Sequence, residues 1–329
     1  MFLNKNGLVI GTRGSNLALF QANYIKNEIV KKTGVETSIK VIKTRGDIDL
    51  NTPLPKVGDK GFFTAEIEQQ LIENKIDFAV HSLKDLPVQL SEHFIIGAVS
   101  KRSSPFDIIV KKNKIDLKNK KLVIATGSLR RSVQLNILNK KIKCVDIRGN
   151  IETRIKKLYQ NNWDGLVMAK AAMDRLKLKL DYYEFKINEM IPSANQGTIA
   201  VEVCKNRTDL NEILDLINDK KAYEASLIES NIIEQLNGGC KTPIGCYVEN
   251  NNGKTNISVF LSNIDGSKNI VEHFSFLNSK KSNIVKDVLH VLNKKDAKSI
   301  ILENARLIKW YTGPWEIIVQ KNGKKDLIQ

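Results

Sequence analysis

The first two-thirds of the chain alternate strand-like and helix-like segments, and this alternation constrains the fold more than any other feature. The segment LVIGT at 8–12 is typical of a buried strand. Ser15 then supplies a helix N-cap, and Gly34 supplies the stop signal of the same helix. Similar pairs recur as far as GLVMA at 165–169. Because strands that are joined through helices pair in parallel, the pattern predicts parallel sheets with helices on both faces.

The alternation starts again near residue 100, which predicts two α/β units rather than one. The last third of the chain has a different pattern. A long helical stretch at 221–236 precedes two segments that alternate apolar and polar residues, and a further helix is predicted at 282–293. We therefore predict a smaller α+β domain in the C-terminal part of the chain.

The formal net charge of +16 raises the question of a nucleic-acid partner. The lysines are spread along the whole chain, and no basic stripe is interleaved with aromatic residues. We therefore expect no nucleic-acid partner. The charge alone keeps a nucleic-acid binder open as an alternative, and such a protein would show a steep salt dependence of its affinity.

No apolar run reaches the length of a membrane span, and the first residues lack the apolar region of a signal peptide. The four cysteines are too scattered for a disulfide framework, and no CxxC or HExxH spacing suggests a metal site. We therefore expect a cytoplasmic protein that has no membrane partner and no metal.

The arginines indicate what the protein binds. The chain has 52 lysines and arginines together, of which ten are arginines, so 42 are lysines. In such a lysine-biased chain, a retained arginine suggests a need for its planar fork, which grips a carboxylate or phosphate at two points. Four polar motifs follow predicted strands. Three of them contain arginines, TRGS at 12–15, ATGSLRR at 125–131 and IRGNIETR at 147–154, and the fourth is HSLKDLP at 81–87. Because ligands of α/β sheets bind at the carboxyl ends of strands, we predict a cleft for an acidic ligand.

Each of these residues also has a plainer interpretation. Arg130 and Arg131 can form a solvated first turn, although cations there oppose the helix dipole. His81 is more typical of a packed side chain at a strand end than of a base. Asp85 alone is typical of a turn, but beside Lys84 in a cationic cleft it suggests an acid–base or cation-stabilising site. Three further residues are adequate as plain helix caps: Ser15, Ser128 and Asn150.

The stretch NGGCKTPIG at 237–245 places Cys240 on a tight loop. The two glycines before it permit turns, and Pro243 prevents a helix from continuing. Cysteine is commonly a small buried hydrophobe. Here the glycine-flanked loop favours an accessible sulfur, and Lys241 favours its thiolate form.

Seven motifs, in order, resemble those of the porphobilinogen deaminase family. They are GTRGSNLALFQ, VIKTRGD, KVGDKGFF, AVHSLKDLP, TGSLRR, RGNIETRIKKL and GGCKTPIG. The match covers roughly residues 8 to 300 with few gaps. Each motif alone is weak, but seven in order are not expected by chance.

The resemblance implies an enzyme of tetrapyrrole (haem) biosynthesis. Such a transferase joins four porphobilinogen molecules head to tail, with loss of ammonia at each join, and releases hydroxymethylbilane. The family carries a dipyrromethane cofactor on a loop cysteine through a thioether. The resemblance therefore implies that Cys240 anchors a covalent primer.

The resemblance also implies two doubly wound α/β domains around a cleft, as in periplasmic binding proteins, plus a small α+β C-terminal domain. The implied limits are 1–100 with 198–217 for the first domain, 101–197 for the second, and 218–329 for the third. The third domain would carry Cys240.

The resemblance assigns a role to individual residues. Asp85 is the implied catalytic carboxylate. The implied cofactor-binding residues, besides Cys240, are Ser82, Lys84, Thr126, Ser128, Arg130, Arg131, Arg148 and Gly149. The implied substrate-binding residues are Arg13, Ser15, Lys56, Lys60, Arg154, Arg175 and Gln196. Lys56 and Lys60 lie on what resembles the mobile active-site loop of the family.

The chain departs from the family pattern at a few positions. Asn195, Ala125 and Asp59 stand where glycine is usual, and Gly127 stands where serine is frequent. Because Asp85 is retained, and the cysteine loop as well, we expect activity. The tail after about residue 304 extends past the resemblance.

One alternative comes from a different functional class, a non-catalytic two-lobed protein that binds an acidic small molecule. Such a binder would need neither Asp85 nor the Cys240 loop. The chain shows no apolar heptad or dimer stripe, so we expect a monomer.

Overall fold

The structure is a computed structural model that describes residues 7–48, 64–118, 120–236, 242–277 and 283–310. Within these ranges the strands are β1 (Leu8–Thr12), β2 (Thr37–Val41), β3 (Phe78–Ser82), β4 (Phe94–Val99), β5 (Asp107–Lys111), β6 (Leu122–Ala125), β7 (Ile142–Val145), β8 (Gly165–Ala169), β9 (Tyr182–Glu184), β10 (Ile199–Cys204), β11 (Ile244–Asn251), β12 (Lys254–Ser262) and β13 (Asn269–Leu277). The α-helices are α1 (Asn16–Thr33), α2 (Arg45–Ile48), α3 (Ala65–Ile72), α4 (Leu129–Leu138), α5 (Ile151–Gln160), α6 (Lys170–Arg175), α7 (Asn211–Ile217), α8 (Lys220–Gln235), α9 (Ile284–Lys294) and α10 (Ala297–Trp310).

The first sheet has the strand order β2-β1-β3-β10-β4. Helix α1 begins after Ser15, whose Oγ accepts a hydrogen bond from the amide of Ala18 at 3.3 Å. It ends at Gly34, whose φ of 70° is the left-handed conformation that glycine adopts at little cost. The helix buries Ile25 and Ile29 against the sheet. The predicted start and stop of this helix are therefore confirmed.

The second sheet has the strand order β7-β6-β8-β5-β9. Successive residues of β8 point to opposite faces, so that Val167 joins one apolar core and Met168 the other. Leu135 of α4 completes the first of these cores, and Leu158 of α5 completes the second. Helices therefore cover both faces of this sheet, as the sequence predicts.

Each of these two sheets also contains a strand that runs against its parallel neighbours. Strand β10 is antiparallel to β3 and β4, and β5 is antiparallel to β8 and β9. The expectation of parallel sheets is correct for β1–β3 and for β6–β8 but misses these two strands. With β5 the chain enters the second sheet from the first, and with β10 it returns to the first sheet from the second. Asp107 begins β5 opposite the last residue of β8, and Ile199 begins β10 opposite the last residue of β3.

The C-terminal part forms an antiparallel sheet in the order β11-β12-β13. Its core contains Ile232 of α8, Cys246, Leu261 and Leu292 of α9, all buried. The predicted α+β character of this part is confirmed. In the described part of the chain, none of the helices is long and apolar enough to cross a membrane.

Candidate active site

The carboxyl end of β3 presents two charged residues in a short 3-10 turn, Leu83–Asp85. Leu83 and Leu86 are buried at 7% and 9% exposure and anchor the turn on its apolar side. Lys84 is therefore left half-buried and Asp85 exposed. This anchoring explains why a lysine and a carboxylate stand together at the sheet edge.

A cavity of about 80 Å³ lies beside this turn. Its lining combines residues that follow β1, the first turns of α1 and the end of β3, and it includes Arg13, Ser15, Gln21, Ser82 and Asp85. Gln21 Nε2 donates a hydrogen bond to Ser82 Oγ at 2.8 Å, which fixes this hydroxyl from the first helix. The structure thus brings together four residues that the sequence singled out, and it adds Gln21.

Arg13 is held at this cavity by a carboxylate of α2. Its Nε donates to Asp47 Oδ1 at 3.0 Å, and its Nη2 contacts the same oxygen. Burial raises the pKa of Asp47, but hydrogen bonds from Arg13 and Thr44 outweigh burial and hold that pKa below its usual value. Arg13 is therefore held in place at the lining of the cavity.

The arginines of α4 are organised around Asp107, a fully buried carboxylate at the start of β5. Arg131 donates to Asp107 Oδ1 through Nε at 3.0 Å and Nη2 at 2.7 Å. Arg130 Nη1 lies 2.8 Å from Asp107 Oδ2 and also donates to the carbonyl of Ile191. Both arginines are less than a tenth exposed, which excludes a solvated first turn.

Asp107 remains ionised because two guanidinium groups offset the cost of its burial. Burial alone raises the pKa of this carboxyl, but the nearby Arg130 and Arg131 hold it far below the usual range. Burial lowers the pKa of Arg130, and the negative charge of Asp107 offsets part of this decrease. The three charges therefore form one structural unit.

Gln196 connects this unit to the turn at the end of β3. Its Nε2 donates to Asp107 Oδ1 at 3.0 Å, and its Oε1 accepts from Lys84 Nζ at 3.1 Å. Burial lowers the pKa of Lys84 to about 8, with Asp85 acting in the opposite direction and Arg131 in the same one. Lys84 therefore carries its charge at neutral pH but loses it in mildly alkaline solution.

The start of α5 adds further cations to the same edge. Asn150 caps the helix, since its Oδ1 accepts from the amide of Thr153 at 2.9 Å. Gly149 has a φ of 111°, and its carbonyl accepts a hydrogen bond from Arg154 Nε at 2.7 Å. Arg148 Nε lies 3.9 Å from Asp146 Oδ2. The pKa of Arg154 is lowered, mainly by burial. The charge of Arg131 lowers this pKa further and the charge of Asp85 raises it, so Arg154 lies within electrostatic range of both residues.

The start of α4 differs from the other two helix starts. Ser128 occupies the N-cap position, but its side chain makes no capping hydrogen bond, so its interpretation as a plain cap is wrong. Its amide instead donates to Oγ1 of Thr126, a buried residue, at 3.3 Å. A Cβ at Gly127 would lie 2.7 Å from the carbonyl oxygen of Ile147. A serine at Gly127 would therefore clash in this backbone, so the loop as it is formed here requires glycine at this position.

Asn195 also has a structural reason for its departure from glycine. Its φ is 64°, in the left-handed region that asparagine tolerates better than most residues. Its Nδ2 donates to Ser230 Oγ at 2.9 Å. Asparagine thus retains the backbone conformation that glycine would supply and adds a contact with α8.

Glu229 of α8 joins this region to the C-terminal sheet. The carboxylate is fully buried and accepts from Arg102 Nη1 at 2.5 Å and Nη2 at 3.2 Å. It also accepts from the amides of Asn195 and Val248 at 2.5 Å and 2.7 Å. Arg102 and Asn195 lie on the two connections between the α/β sheets, and Val248 lies on β11. One carboxylate therefore fastens both connections to the third sheet.

Arg175 does not line the cavity, and its contacts are with the connections between the two α/β sheets. Its Nη2 donates to the carbonyl of Gly197 at 2.7 Å and to Ser103 Oγ at 3.5 Å. Burial lowers its pKa to about 10, with Tyr24 opposing the shift. In this conformation its guanidinium supports the connections between the sheets.

Three residues that the sequence singled out, Lys56, Lys60 and Cys240, lie outside the described residues. The other cysteines are free thiols. Burial raises the pKa of Cys144 to about 12 and raises those of Cys204 and Cys246 as well. None of these three is an activated thiol.

The structure also identifies functional candidates that the sequence reasoning missed, above all Asp107 and Glu229. Asp107 stands in an otherwise apolar segment, FDIIV, and Glu229 stands between apolar pairs in LIESNII. Since an unpaired carboxylate in such a segment is costly to bury, the pattern itself signals a buried cationic partner. His81 is 8% exposed, so it is packed, and it also lines the cavity of Asp85. In the ranges that the structure describes, no three histidine, cysteine or acidic side chains are grouped as metal ligands.

Comparison with known proteins gives two family matches. Residues 8–212 match the model described as porphobilinogen deaminase, dipyromethane cofactor binding domain. Residues 223–294 match the model described as porphobilinogen deaminase, C-terminal domain. Together the two matches cover most of the chain.

Curated relatives agree with these matches. A porphobilinogen deaminase of Campylobacter hominis is 41% identical over 249 residues, which are 74% of this chain and 80% of that protein. One of Clostridium novyi is 42% identical over 255 residues, which are 74% of this chain and 85% of that protein. Among solved structures, the methionine binding protein MetQ covers 72% of this chain and is itself 97% covered, at 11% identity and a TM-score of 0.43. That likeness is too low to carry an argument.

Proposed function

The chain belongs to the porphobilinogen deaminase family, and we propose that it joins four porphobilinogen molecules head to tail to give hydroxymethylbilane. At each join a carbon–nitrogen bond breaks, ammonia leaves, and a carbon–carbon bond forms between two pyrroles. The enzyme is therefore a transferase of tetrapyrrole biosynthesis.

The observation that carries this proposal is the position of the Lys84–Asp85 turn. Asp85 is exposed in a cavity that also contains Arg13 and Ser15. Lys84, beside it, is linked through Gln196 to the arginines of α4. A carboxylate in this place can stabilise the positive charge that develops as ammonia leaves the substrate, while the surrounding cations hold the substrate carboxylates.

The charges around the turn fit a ligand that bears several carboxylates, such as a dipyrromethane. The group of cations (Lys84, Arg130, Arg131, Arg148 and Arg154) outnumbers the nearby carboxylates of Asp85, Asp107 and Asp146. The lowered pKa values of Lys84, Arg130 and Arg154 reflect burial together with this surplus of positive charge. Bound through Cys240, the dipyrromethane would supply the pyrrole to which the first substrate is joined.

We assign the following residues to the cofactor, in addition to Cys240: Ser82, Lys84, Thr126, Ser128, Arg130, Arg131, Arg148 and Gly149. Arg131 already donates two hydrogen bonds to Asp107, and Arg130 is paired with the same carboxylate, so both contribute mainly fixed positive charge. Lys84 and the hydroxyls of Ser82 and Ser128 are better placed to donate directly.

Arg13, Ser15 and Arg154 have the positions from which to bind porphobilinogen, since two line the cavity of Asp85 and the third lies within electrostatic range of it. We retain four other residues as substrate-binding candidates: Lys56, Lys60, Arg175 and Gln196. For Gln196 the role is indirect in this conformation, through Lys84.

We further propose the domain limits given above, a monomer, a cytoplasmic location, and neither nucleic acid nor membrane as a partner. The domain proposal is supported by the pairing of β10 with β3 and β4. The other proposals rest on the sequence patterns alone.

The intact mass of the purified protein, compared with that of Cys240→Ser, tests the proposed function. We expect an adduct of dipyrromethane mass on the parent and no adduct on the variant. Incubation with porphobilinogen should then add further pyrrole units to the parent and release ammonia.

A folded parent that gains no adduct and releases no ammonia after this incubation would contradict the proposal. That result would favour the alternative, a two-lobed protein that binds an acidic small molecule without catalysis. Binding of porphobilinogen without its turnover, measured by calorimetry, would then distinguish this alternative from a protein that has no such ligand.

A further inference from the structure

His81 lines the same cavity as Asp85 but is tied to a second carboxylate behind it. Its Nε2 lies 3.1 Å from Glu202 Oε2, across the pairing of β3 with β10. His81 is 8% exposed and Glu202 is fully buried. The cavity therefore has a histidine in its lining, and this histidine contacts a buried carboxylate that is not itself in the lining.

Glu202 depends on His81 for its hydrogen bonding. Its second oxygen, Oε1, has no hydrogen-bond partner among the described residues. A buried carboxylate without partners is costly, so the contact with His81 stabilises Glu202 at this position. The two side chains thus act as one unit.

Among the residues that the structure describes, few other charged groups lie near this pair. Arg13 and Asp85 line the same cavity as His81. On β10, burial raises the pKa of the Cys204 thiol, and Glu202 raises it further. Helix α3, which packs on both strands, carries Glu66 and Glu68, and Glu66 is paired with Arg45 at 3.4 Å. Strand β4, on the other side of β10, has the sequence FIIGAV and no titratable side chain.

The hydrogen bond also selects the form of the imidazole. A carboxylate that accepts from Nε2 holds the proton on that nitrogen and leaves the lone pair on Nδ1. When Nδ1 then takes up a proton, the negative charge of Glu202 stabilises the resulting imidazolium. A histidine that is held in this way is suited to accept a proton.

The proposed reaction releases one proton at each join. The carbon–nitrogen bond of the incoming porphobilinogen breaks with its electron pair on nitrogen, and the new carbon–carbon bond forms. The ring carbon of the preceding porphobilinogen unit must then lose its hydrogen as a proton, and the electron pair of that bond returns to the pyrrole. Asp85 is assigned to the cation that develops as ammonia leaves, so a second group at the same cavity can accept this proton.

We propose that His81 and Glu202 form a proton-accepting dyad at the cavity of Asp85, in which Nδ1 of His81 takes up the proton that each join releases. Glu202 positions the ring and balances its charge. The proton passes from Nδ1 to ammonia or to solvent before the next join, which restores the neutral imidazole. This inference rests on the proposed function.

Two variants and a matched control test the dyad in the loaded enzyme. His81→Asn removes the accepting nitrogen, and Glu202→Gln keeps the shape while it removes the charge. His93→Asn is the control, because His93 is exposed and also has a neighbouring carboxylate, Glu92, at 4.0 Å. The intact mass of each variant establishes that it carries the same adduct as the parent.

We expect kcat to fall about 100-fold in His81→Asn and about tenfold in Glu202→Gln, with KM within about twofold of the parent. The pH profile of kcat should differ in shape between the parent and His81→Asn. The control should match the parent in rate and in pH profile. A purely structural role of His81 would not change the shape of this profile.

Nitrogen-15 NMR of the imidazoles provides a test that needs no active variant. The chain has four histidines, so the His81 signals are assigned by their loss in His81→Asn. The parent should show a protonated Nε2 and an unprotonated Nδ1, and Glu202→Gln should shift this balance. A parent with its proton on Nδ1 would overturn the dyad even if both variants failed to fold.

The outcomes separate this inference from the proposed function. A loaded, active parent whose two variants keep the rate and pH profile of His93→Asn removes the dyad alone. A parent that neither carries the adduct nor consumes porphobilinogen removes the proposed function and the role of the dyad with it.

Discussion

Asp85 and Asp107 are two carboxylates at the same edge of the molecule, and they differ in how their charge is used. Asp107 is fully buried and is contacted by Arg130, Arg131 and Gln196. Asp85 is exposed at the end of a turn that buried leucines hold in place. The first carboxylate organises the cations of the second sheet, and the second faces the cavity.

This difference shows that proximity to arginines does not by itself identify a catalytic carboxylate. A carboxylate whose oxygens are already bonded to guanidinium groups is stabilised in one state and has little capacity to respond to a substrate. An exposed carboxylate that rigid neighbours position can interact with charge as it develops. Variants at the two sites should therefore separate catalysis from stability.

Asp85→Asn should have the largest effect on activity. We expect the turnover of porphobilinogen to fall about 1000-fold, because the amide cannot stabilise a developing cation. The midpoint of thermal unfolding should stay unchanged, since Asp85 is exposed. Turnover within a few-fold of the parent would remove its catalytic assignment and, with it, the contrast between the two carboxylates.

Asp107→Asn should have the opposite effect, since its main consequence should be a loss of stability. The variant leaves two buried guanidinium groups without their counter-charge, which we expect to cost about 3 kcal/mol of unfolding free energy in urea titrations. Asp146→Asn is the matched control, because Asp146 is exposed and lies 3.9 Å from Arg148. Equal stability of the two variants would mean that the Asp107 unit is not structural.

Lys84→Arg tests the link between the two regions through pH. The pKa of Lys84 is about 8, so its charge is present below that pH and is lost as the pH rises through it. For the parent we expect kcat/KM to fall about tenfold per pH unit above pH 8, where the free enzyme loses a carboxylate-binding cation. Arginine stays protonated, so the fall should be absent in the variant. A parallel fall in both proteins would assign it to a different group.

Asn16→Ala should have the smallest effect. Asn16 Nδ2 donates to Glu152 Oε1 at 2.8 Å, an exposed bond that joins α1 to α5 across the two sheets. We expect a change of less than about 0.5 kcal/mol in unfolding free energy and unchanged kcat. A larger change in kcat than in stability would show that this bond controls how closely the two α/β sheets approach each other.

Local signals in the sequence were sufficient for most of the fold. Ser15 and Gly34 define α1 because the cap and the stop act within a few residues of the helix they limit. The direction of β5 and β10 was missed because it depends on the edge at which the chain enters a sheet, and no local pattern records that. The same limit explains why Ser128 was interpreted as a plain cap, since its local sequence suits that role.

The site was predictable in its residue types but not in its pairings. The sequence correctly brought Arg13, Ser15 and Asp85 to one edge, because all three follow strands of the same parallel set. It did not show that Arg130 and Arg131 bind Asp107, which lies more than twenty residues away in an apolar segment. Buried ion pairs of this kind depend on tertiary distance, so single-sequence patterns identify the cations and miss their partner.

The junction at Glu229 has a consequence for the way the chain folds. Arg102 precedes its carboxylate partner by 127 residues, so an N-terminal stretch made first during synthesis contains a guanidinium group whose partner is not yet present. The amide of Asn195 also donates to Glu229 and is made before helix α8. The amide of Val248, the remaining donor, is made after this helix. The two connections between the α/β sheets are therefore fastened only when α8 arrives, and we expect the final docking of the three sheets to be a single late and cooperative event.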